Sequence, residues 1–304
     1  MGKLLVTGAT GHLGRLTLQL LLEQLPAERL AGLARDPSRA ADLAEQGVDI
    51  RQGDYFDYES LLRAFDGVEK LCLIATHAFT DRNTQHFNAI AAAKQAGVKN
   101  VVFTAIQRDD HLGITQIGVT ESDVFAEQAL QASGLAYTIL RHPIFLDQLG
   151  GYIGRDAYDT GVRVPPGEGT LAPALERDLA AANAAVLTQE GHENKTYTLT
   201  GSEAASFREI AAALSEIHGA TVPYVPIGVE EYIEGFVKLE LPRHVAEFMA
   251  AWTEGVNRAA FSKNTGDLER LIGYRPTSYR EFFARHYPEI VPAAQDGSGP
   301  GSSE

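Results

Sequence analysis

Two sets of residues in this chain have the types and spacing to do chemistry. The first is Gly8-Ala9-Thr10-Gly11-His12-Leu13-Gly14, which follows the apolar Leu4-Leu5-Val6 and opens a stretch of helical periodicity. Strand, small-residue turn and helix in that order make a cradle for a pyrophosphate. The small residues let the backbone approach the phosphates, and the helix start supplies free N–H groups and a positive dipole end. The second set is titratable. His77 and His142 stand at predicted strand ends and are candidate proton donors. Asp123 and Glu127, four apart, share a helix face. Buried, they could act as general acid or base; otherwise they form a solvated acidic face. The histidines show no HExxH pattern and no grouping with Asp, so no metal site is expected.

These residues need a scaffold, and the first half of the chain supplies one by alternation. Strand signals over 4–7, 30–34, 48–52, 71–76, 101–104 and 136–140 are interleaved with helix signals over 13–25, 58–65, 84–96 and 121–132. Asp36 reads as the cap of a further helix with Pro37 at its first position. Repeated βα units with short connections imply an α/β Rossmann fold, a doubly wound parallel sheet. Residues 71–75, Cys72 among them, suit a central strand buried on both faces. After Arg141 the rhythm breaks. Residues 142–170 are rich in Gly and Pro, with a turn expected at 165–169. A helix over 175–188, a strand over 195–200 and a helix over 207–217 follow. Residues 229–286 read as mostly helical and carry Tyr232, Phe236, Phe248, Trp252, Phe282 and Phe283. The expected division is a dinucleotide-binding domain over 1–150, to which 171–200 returns, and a smaller, mostly helical substrate-binding part over 151–292. A disordered tail is expected over 293–304. A substrate pocket would lie between the two parts.

Strand ends then select the nucleotide. A carboxylate at the end of strand two bonds the 2′-hydroxyl of NAD, whereas an arginine suits the 2′-phosphate of NADP. Here that strand ends in Arg35, with Arg39 one turn further on, and a guanidinium fork matches a phosphate. NADPH is therefore expected over NADH. Asp54, followed by Tyr55, closes strand three, where Asp54 can accept from the adenine amino group or simply close a turn. Ala75 and Thr76 end strand four, and Thr104 and Ala105 end strand five, where pyrophosphate and nicotinamide pass. Thr10 and His12 are placed in the phosphate pocket.

Composition removes other classes. The net charge of −14 argues against nucleic-acid binding and against an anionic membrane surface. Cys72 is the single cysteine, which excludes an intramolecular disulfide. No apolar run approaches the roughly 18 residues of a membrane span. Met1-Gly2-Lys3 leads straight into the first strand, so no signal peptide and a cytoplasmic location are expected. A small-molecule substrate is the expected partner. The sequence carries no signal of oligomeric state, and a homodimer is compatible with it.

Taken together, several segments resemble the NmrA-like atypical short-chain dehydrogenase/reductases. They are Thr7-Gly8-Ala9-Thr10-Gly11-His12-Leu13-Gly14, Ala34-Arg35-Asp36-Pro37, Gly53-Asp54, and Ala91-Ala92-Ala93-Lys94-Gln95-Ala96-Gly97-Val98. Ser133-Gly134-Leu135-Ala136-Tyr137-Thr138-Ile139-Leu140-Arg141 and Lys195-Thr196-Tyr197-Thr198-Leu199-Thr200-Gly201 complete the set. The resemblance runs over about residues 3–285 and points to the bacterial branch of NADPH-dependent quinone oxidoreductases and triphenylmethane dye reductases. It implies an NADP-binding Rossmann domain, a small substrate domain, and hydride transfer or nucleotide sensing. Two departures stand out. The Tyr-x-x-x-Lys of most short-chain dehydrogenases is absent. The lysine that some relatives carry on the helix after strand five aligns with Gln128, and a histidine of close relatives aligns with Asp123. Gln128 can hydrogen-bond a ribose hydroxyl but supplies no proton or charge. A quinone or cationic dye tolerates that loss, because each accepts hydride readily and water can protonate the delocalised hydroquinone anion. Phe79, Ile106, Phe145 and Tyr152 are the expected walls of such a site, with Arg141-His142-Pro143 at its rim. The expectation is an NADPH-dependent reductase of a planar, conjugated acceptor. The alternative is a redox-sensing regulator that binds NADP(H) without chemistry and acts through a protein partner. A sugar-nucleotide epimerase fits poorly without the Tyr-x-x-x-Lys.

Overall fold

A computed structural model describes residues 2–111, 118–154 and 156–290. The tail expected over 293–304 lies outside the described residues. Nine strands are described: β1 (Lys3–Val6), β2 (Leu30–Ala34), β3 (Asp49–Gln52), β4 (Val68–Leu73), β5 (Asn100–Ile106), β6 (Ala136–His142), β7 (Val162–Val164), β8 (Lys195–Thr198) and β9 (Tyr224–Pro226). Seven form a parallel sheet in the order β3-β2-β1-β4-β5-β6-β8. The strand order reverses direction between β1 and β4. That switch point opens a crevice at the C-terminal ends of the strands.

Alternation along the central strands divides the core into two faces. Leu4 and Val6 of β1, Cys72 of β4, Val102 of β5 and Leu140 of β6 point to one side. They meet Leu18 and Leu21 of α1 (His12–Leu22), Leu43 of α2 (Ala41–Glu45) and Leu179 and Leu187 of α8 (Glu176–Thr188). Leu5, Leu71, Leu73, Val101, Phe103 and Ile139 point the other way. They pack against α3 (Tyr58–Ala64), α4 (Arg82–Gln95) and α5 (Thr120–Ala132). Strand β8, from the second half of the chain, pairs with β6 in register Thr138↔Lys195 to Arg141↔Thr198.

A third core belongs to the smaller part. It gathers α6 (Leu146–Ile153), α7 (Ala157–Thr160), α9 (Phe207–His218), α10 (Val229–Lys238), α11 (Arg243–Asn257) and α13 (Tyr279–Ile290). Ile106 and Val119 extend into it from the sheet side and tie the two parts together. Residues 229–286 do not all stay in this part, as the helical pattern alone suggested. Helix α12 (Asp267–Ile272) returns to the sheet, where Leu268 and Leu271, three apart on one face, pack into the α1–α8 core. The Asp267 carboxylate accepts from the Thr198 backbone N–H at 2.9 Å and pins α12 to β8. The Gly- and Pro-rich stretch also holds a strand the pattern did not show: β7 pairs with β9 in a small parallel sheet. With three residues each, these strands are too short to carry a period-2 signal.

The end of β4 differs from the expected strand over 71–76 in an instructive way. Pairing stops at Leu73, and side chains take over the next two amides. Ile74 N–H donates to Thr7 Oγ1 at 2.8 Å, and Ala75 N–H to Thr104 Oγ1 at 2.9 Å. The chain therefore leaves the sheet early and turns across the crevice. Helix α1 approaches β1 with equal economy of space. A Cβ at Gly14 would stand 2.3 Å from the Gly8 carbonyl oxygen and 2.8 Å from that of Thr7. Gly14→Ala is expected to lower stability by about 1–3 kcal/mol through overpacking against backbone that cannot yield. Urea unfolding followed by circular dichroism measures this.

Candidate functional site

The crevice is a cleft of about 650 Å³ running from the turn after β1 to the aromatic face of α11. The glycine turn forms one end. Gly8 takes the left-handed φ of +64° that reverses the chain after β1. Gly11 N–H donates to the Gly8 carbonyl at 2.8 Å, and α1 starts at His12 with no side chain capping its first turn. Open amides thus face the cleft. Gly8, Thr10, Gly11, His12, Leu13 and Gly14 all line it. A Cβ at Gly11 would meet only the Gly8 oxygen, at 3.3 Å, so the empty space there is a cradle rather than packing. These features fit a dinucleotide pyrophosphate.

The adenosine end lies past β2 and β3. Arg35, Asp54 and Tyr55 line the cleft. Asp36 caps the short helix at Pro37 by accepting from Ser38 N–H at 3.1 Å, which leaves Arg35 as the cleft-facing charge. Asp54 both closes a turn, accepting from Phe56 N–H at 2.8 Å, and borders the cleft. A side cavity of about 400 Å³ adjoins here, between Arg35 and Arg63 of α3. Arg39 is exposed and borders neither cavity; its N–H donates to the Asp36 carbonyl at 3.3 Å and its carbonyl accepts from Arg15 at 2.8 Å.

The floor is the segment after β4. Ala75, Thr76, His77, Thr104 and Ala105 line it. Thr76 N–H donates to His86 Nε2 at 3.1 Å, and the Thr76 carbonyl accepts from the Arg82 guanidinium. Arg82 also pairs with Asp123, whose other oxygen accepts from Ile106 N–H at 2.7 Å. Arg82 and Asp123 are 5% and 1% exposed, and both border the cleft. Burial raises the Asp123 carboxyl against the pull of Arg82. Glu127 is buried as well. It accepts two bonds from Arg108, at 2.7 and 2.6 Å, and two from Arg141, at 3.2 and 2.8 Å. Asp123 and Glu127 are therefore buried ion-pair partners, and the solvated acidic face is set aside.

The far end is apolar and aromatic. Ile106, Phe145 and Tyr152 line it together with Ile144, Phe248 and Trp252. The last two come from α11, and Trp252 stacks on Phe261 at 4.4 Å. Phe79 is not a wall. It is 43% exposed and packs edge-on against His244 and Phe248, at 4.8 and 5.5 Å. Burial pushes the Tyr152 phenol up to about 12, so it stays protonated as a hydrogen-bond donor.

The candidate proton donors fare unequally. His77 lines the cleft in an exposed position, with Nδ1 accepting from Phe79 N–H at 3.4 Å. His142 lines it too but is buried, with Asn183 as the polar side chain beside its ring. Burial pushes its pKa down to about 3, so it is neutral near pH 7 and is not a general acid there. Arg141 points to Glu127 and Asp110 instead of the rim. Gln128 is exposed and outside the cleft. It follows Asp123 by five residues, about 140° around α5, so the turn that buries Asp123 turns Gln128 to solvent. No residue of the cleft therefore stands in for the lysine through Gln128. Sequence reasoning also missed Arg82 and Glu176. Glu176, at the start of α8, meets His12 at 2.7 Å across the phosphate end. Both pairs link distant residues, and no local pattern marks them.

Among the described residues no helix is long and apolar enough to cross a membrane, and no group of three or more His, Cys, Asp or Glu could hold a metal.

Comparison with known proteins places this geometry. The model of an NAD(P)H-binding family matches residues 8–190. Quinone oxidoreductase 2 of Escherichia coli is 33% identical over 279 residues, 91% of this chain and 96% of that protein. An NAD(P)H azoreductase of Xenophilus azovorans is 33% identical over 247 residues, 81% of this chain and 84% of its own. The structure of Citrobacter triphenylmethane reductase complexed with NADP(H) superimposes with a TM-score of 0.86 at 33% identity, covering 94% of this chain and 99% of that one.

The buried histidines set an acid limit on stability. His86, fully buried and beside Arg82, is also pushed down to about 3, first by burial and then by that charge. In the unfolded chain both titrate near 6.5. Below that value the unfolded state binds more protons, so the stabilising contribution is whole above pH 6.5 and is lost as pH falls toward 3. The expected slope is about 1.4 kcal/mol per pH unit for each histidine. Urea unfolding between about pH 7 and about pH 5 checks it; a flat profile over that range contradicts neutral burial.

Proposed function

The chain belongs to the NAD(P)H-binding, NmrA-like family, and on that premise we propose that it transfers hydride from NADPH to a planar, conjugated acceptor of the quinone class. The observation that carries the acceptor is the far end of the cleft. Ile106, Phe145, Tyr152, Phe248 and Trp252 form a wall suited to a flat apolar ring system, placed beyond the floor residues Thr76 and Thr104. The relatives named for quinone, azo and dye reduction support the same class.

The residues divide the work by position. The glycine turn and the start of α1 hold the pyrophosphate, and Arg35 faces the 2′-phosphate. The bound reduced nicotinamide supplies the hydride. Amides held by Thr7 and Thr104 fix the floor so that donor and acceptor rings meet in one geometry. Buried Arg82, tied to Asp123, places a compensated positive charge beside the acceptor region, where reduction builds negative charge on oxygen. The Tyr152 phenol can donate a hydrogen bond to that oxygen. His77, exposed at the rim, and water can deliver the proton. Gln128 has no part in this.

The first test is NADPH absorbance decay with purified protein and a panel of quinones, azo compounds, dyes and simple ketones. Fast acceptor-dependent decay with the conjugated compounds and little with ketones is expected. NADPH binding without decay across the panel would favour a sensor that reports the nucleotide to a protein partner.

Two variants test the cofactor site by fluorescence titration. Gly11→Val should fill the cradle and weaken NADPH binding at least about 100-fold, with circular dichroism checking that the variant folds although its Cβ sits 3.3 Å from the Gly8 oxygen. Arg35→Asp should weaken NADPH about 10- to 100-fold and leave NADH nearly unchanged. An unchanged ratio of the two dissociation constants would remove Arg35 from the 2′-phosphate.

A further inference from the structure

We propose that Glu176 is a positioning residue that holds His12 as a proton-linked ligand of the cofactor pyrophosphate. The proposal rests on the NAD(P)H reading of the cleft and assigns a role to a contact that reading does not use. His12 and Glu176 are the first residues of α1 and α8, helices that pack side by side. His12 Nδ1 lies 2.7 Å from Glu176 Oε2. The imidazole is 77% exposed, whereas the carboxylate is 8% exposed, and both border the cleft. Glu176 is fixed from behind, its backbone N–H donating to Asp147 Oδ2 at 2.7 Å.

A buried carboxylate beside a phosphate cradle repels the anion unless a cation stands between them. His12 occupies that place. A carboxylate only accepts, so Nδ1 carries the proton in this contact, which leaves Nε2 for the ligand. In a neutral imidazole Nε2 is an acceptor and useless to a phosphate. In an imidazolium it is a charge-assisted donor. The carboxylate behind and the phosphate in front both favour the imidazolium. Cofactor binding therefore takes up a proton wherever free His12 is partly neutral.

Burial raises the Glu176 carboxyl, His12 lowers it, and the Asp147 carboxylate of α6 adds a smaller push upward. Arg15, one turn along α1, is engaged by Asp42, and Asp178 of α8 accepts from the Tyr274 hydroxyl at 2.9 Å.

The test is calorimetric titration with NADH, which lacks a titrating 2′-phosphate, in buffers of different protonation enthalpy from about pH 6 to about pH 9. The expected result for the native protein is uptake of up to about one proton, with Kd rising by at most about tenfold per pH unit. His12→Gln should abolish the uptake and the pH dependence and raise Kd about tenfold at the acidic end. Glu176→Gln should move the rise in Kd to lower pH. Equal proton uptake by native protein and His12→Gln overturns the proposal, as does an unmoved pH dependence in Glu176→Gln. His12 is exposed, so its variant keeps the fold and carries the test alone. Failure of the native protein to bind NADH or NADPH at any pH would overturn the cofactor reading beneath it.

Discussion

Helix α1 meets β1 so closely that no side chain fits at Gly14, whose Cβ would stand 2.3 Å from the Gly8 oxygen. That approach sets the position of the turn between them, and the turn aims the first amides of α1 into the crevice. The other parts of the site take their places from it. Thr7, the last residue before the turn, accepts from Ile74 N–H and so ends β4 early. The chain then crosses the floor at Ala75 and Thr76, where Thr104 and His86 hold it. One close packing contact thus reaches the nicotinamide end through hydrogen bonds.

Charge is distributed to serve the same end. The chain is strongly acidic, yet most of its buried guanidinium groups are matched to carboxylates near the C-terminal edge of the sheet. Arg82 is spent on Asp123, and Arg108 and Arg141 on Glu127. Such buried pairs add little net stability, but removing one member strands the other, so they fix geometry. They hold α4, α5 and β6 around the cleft. The side chains left toward the nucleotide, Arg35 at the adenosine end and His12 at the phosphate end, are exposed. Arg35 thus gives an acidic protein a local positive site for an anionic cofactor.

The smaller part supplies the surface that faces an acceptor. It is joined to the sheet through Ile106 and Val119 and delivers Phe248 and Trp252 from α11. Because α8, β8 and α12 return to the Rossmann sheet, the chain crosses between the two parts more than once. The cleft walls are therefore held from both sides.

The sequence by itself determined the βα alternation, the phosphate turn and the strand-end residues Arg35, Asp54, Thr76 and Thr104. These are local: period-2 and period-3.6 patterns, caps and glycine turns report what the chain does within a few residues. Tertiary structure alone decided which side chains meet. It turned Gln128 to solvent and buried Asp123 and Glu127, because helix phase relative to the sheet cannot be read from a pattern with acids on several faces. It made His142 neutral, because desolvation depends on what closes over a residue. It brought Glu176 to His12 and Trp252 to the cleft from far along the chain. Pairings over such separations are set by the packing of whole elements, and no neighbouring residue in the sequence records them.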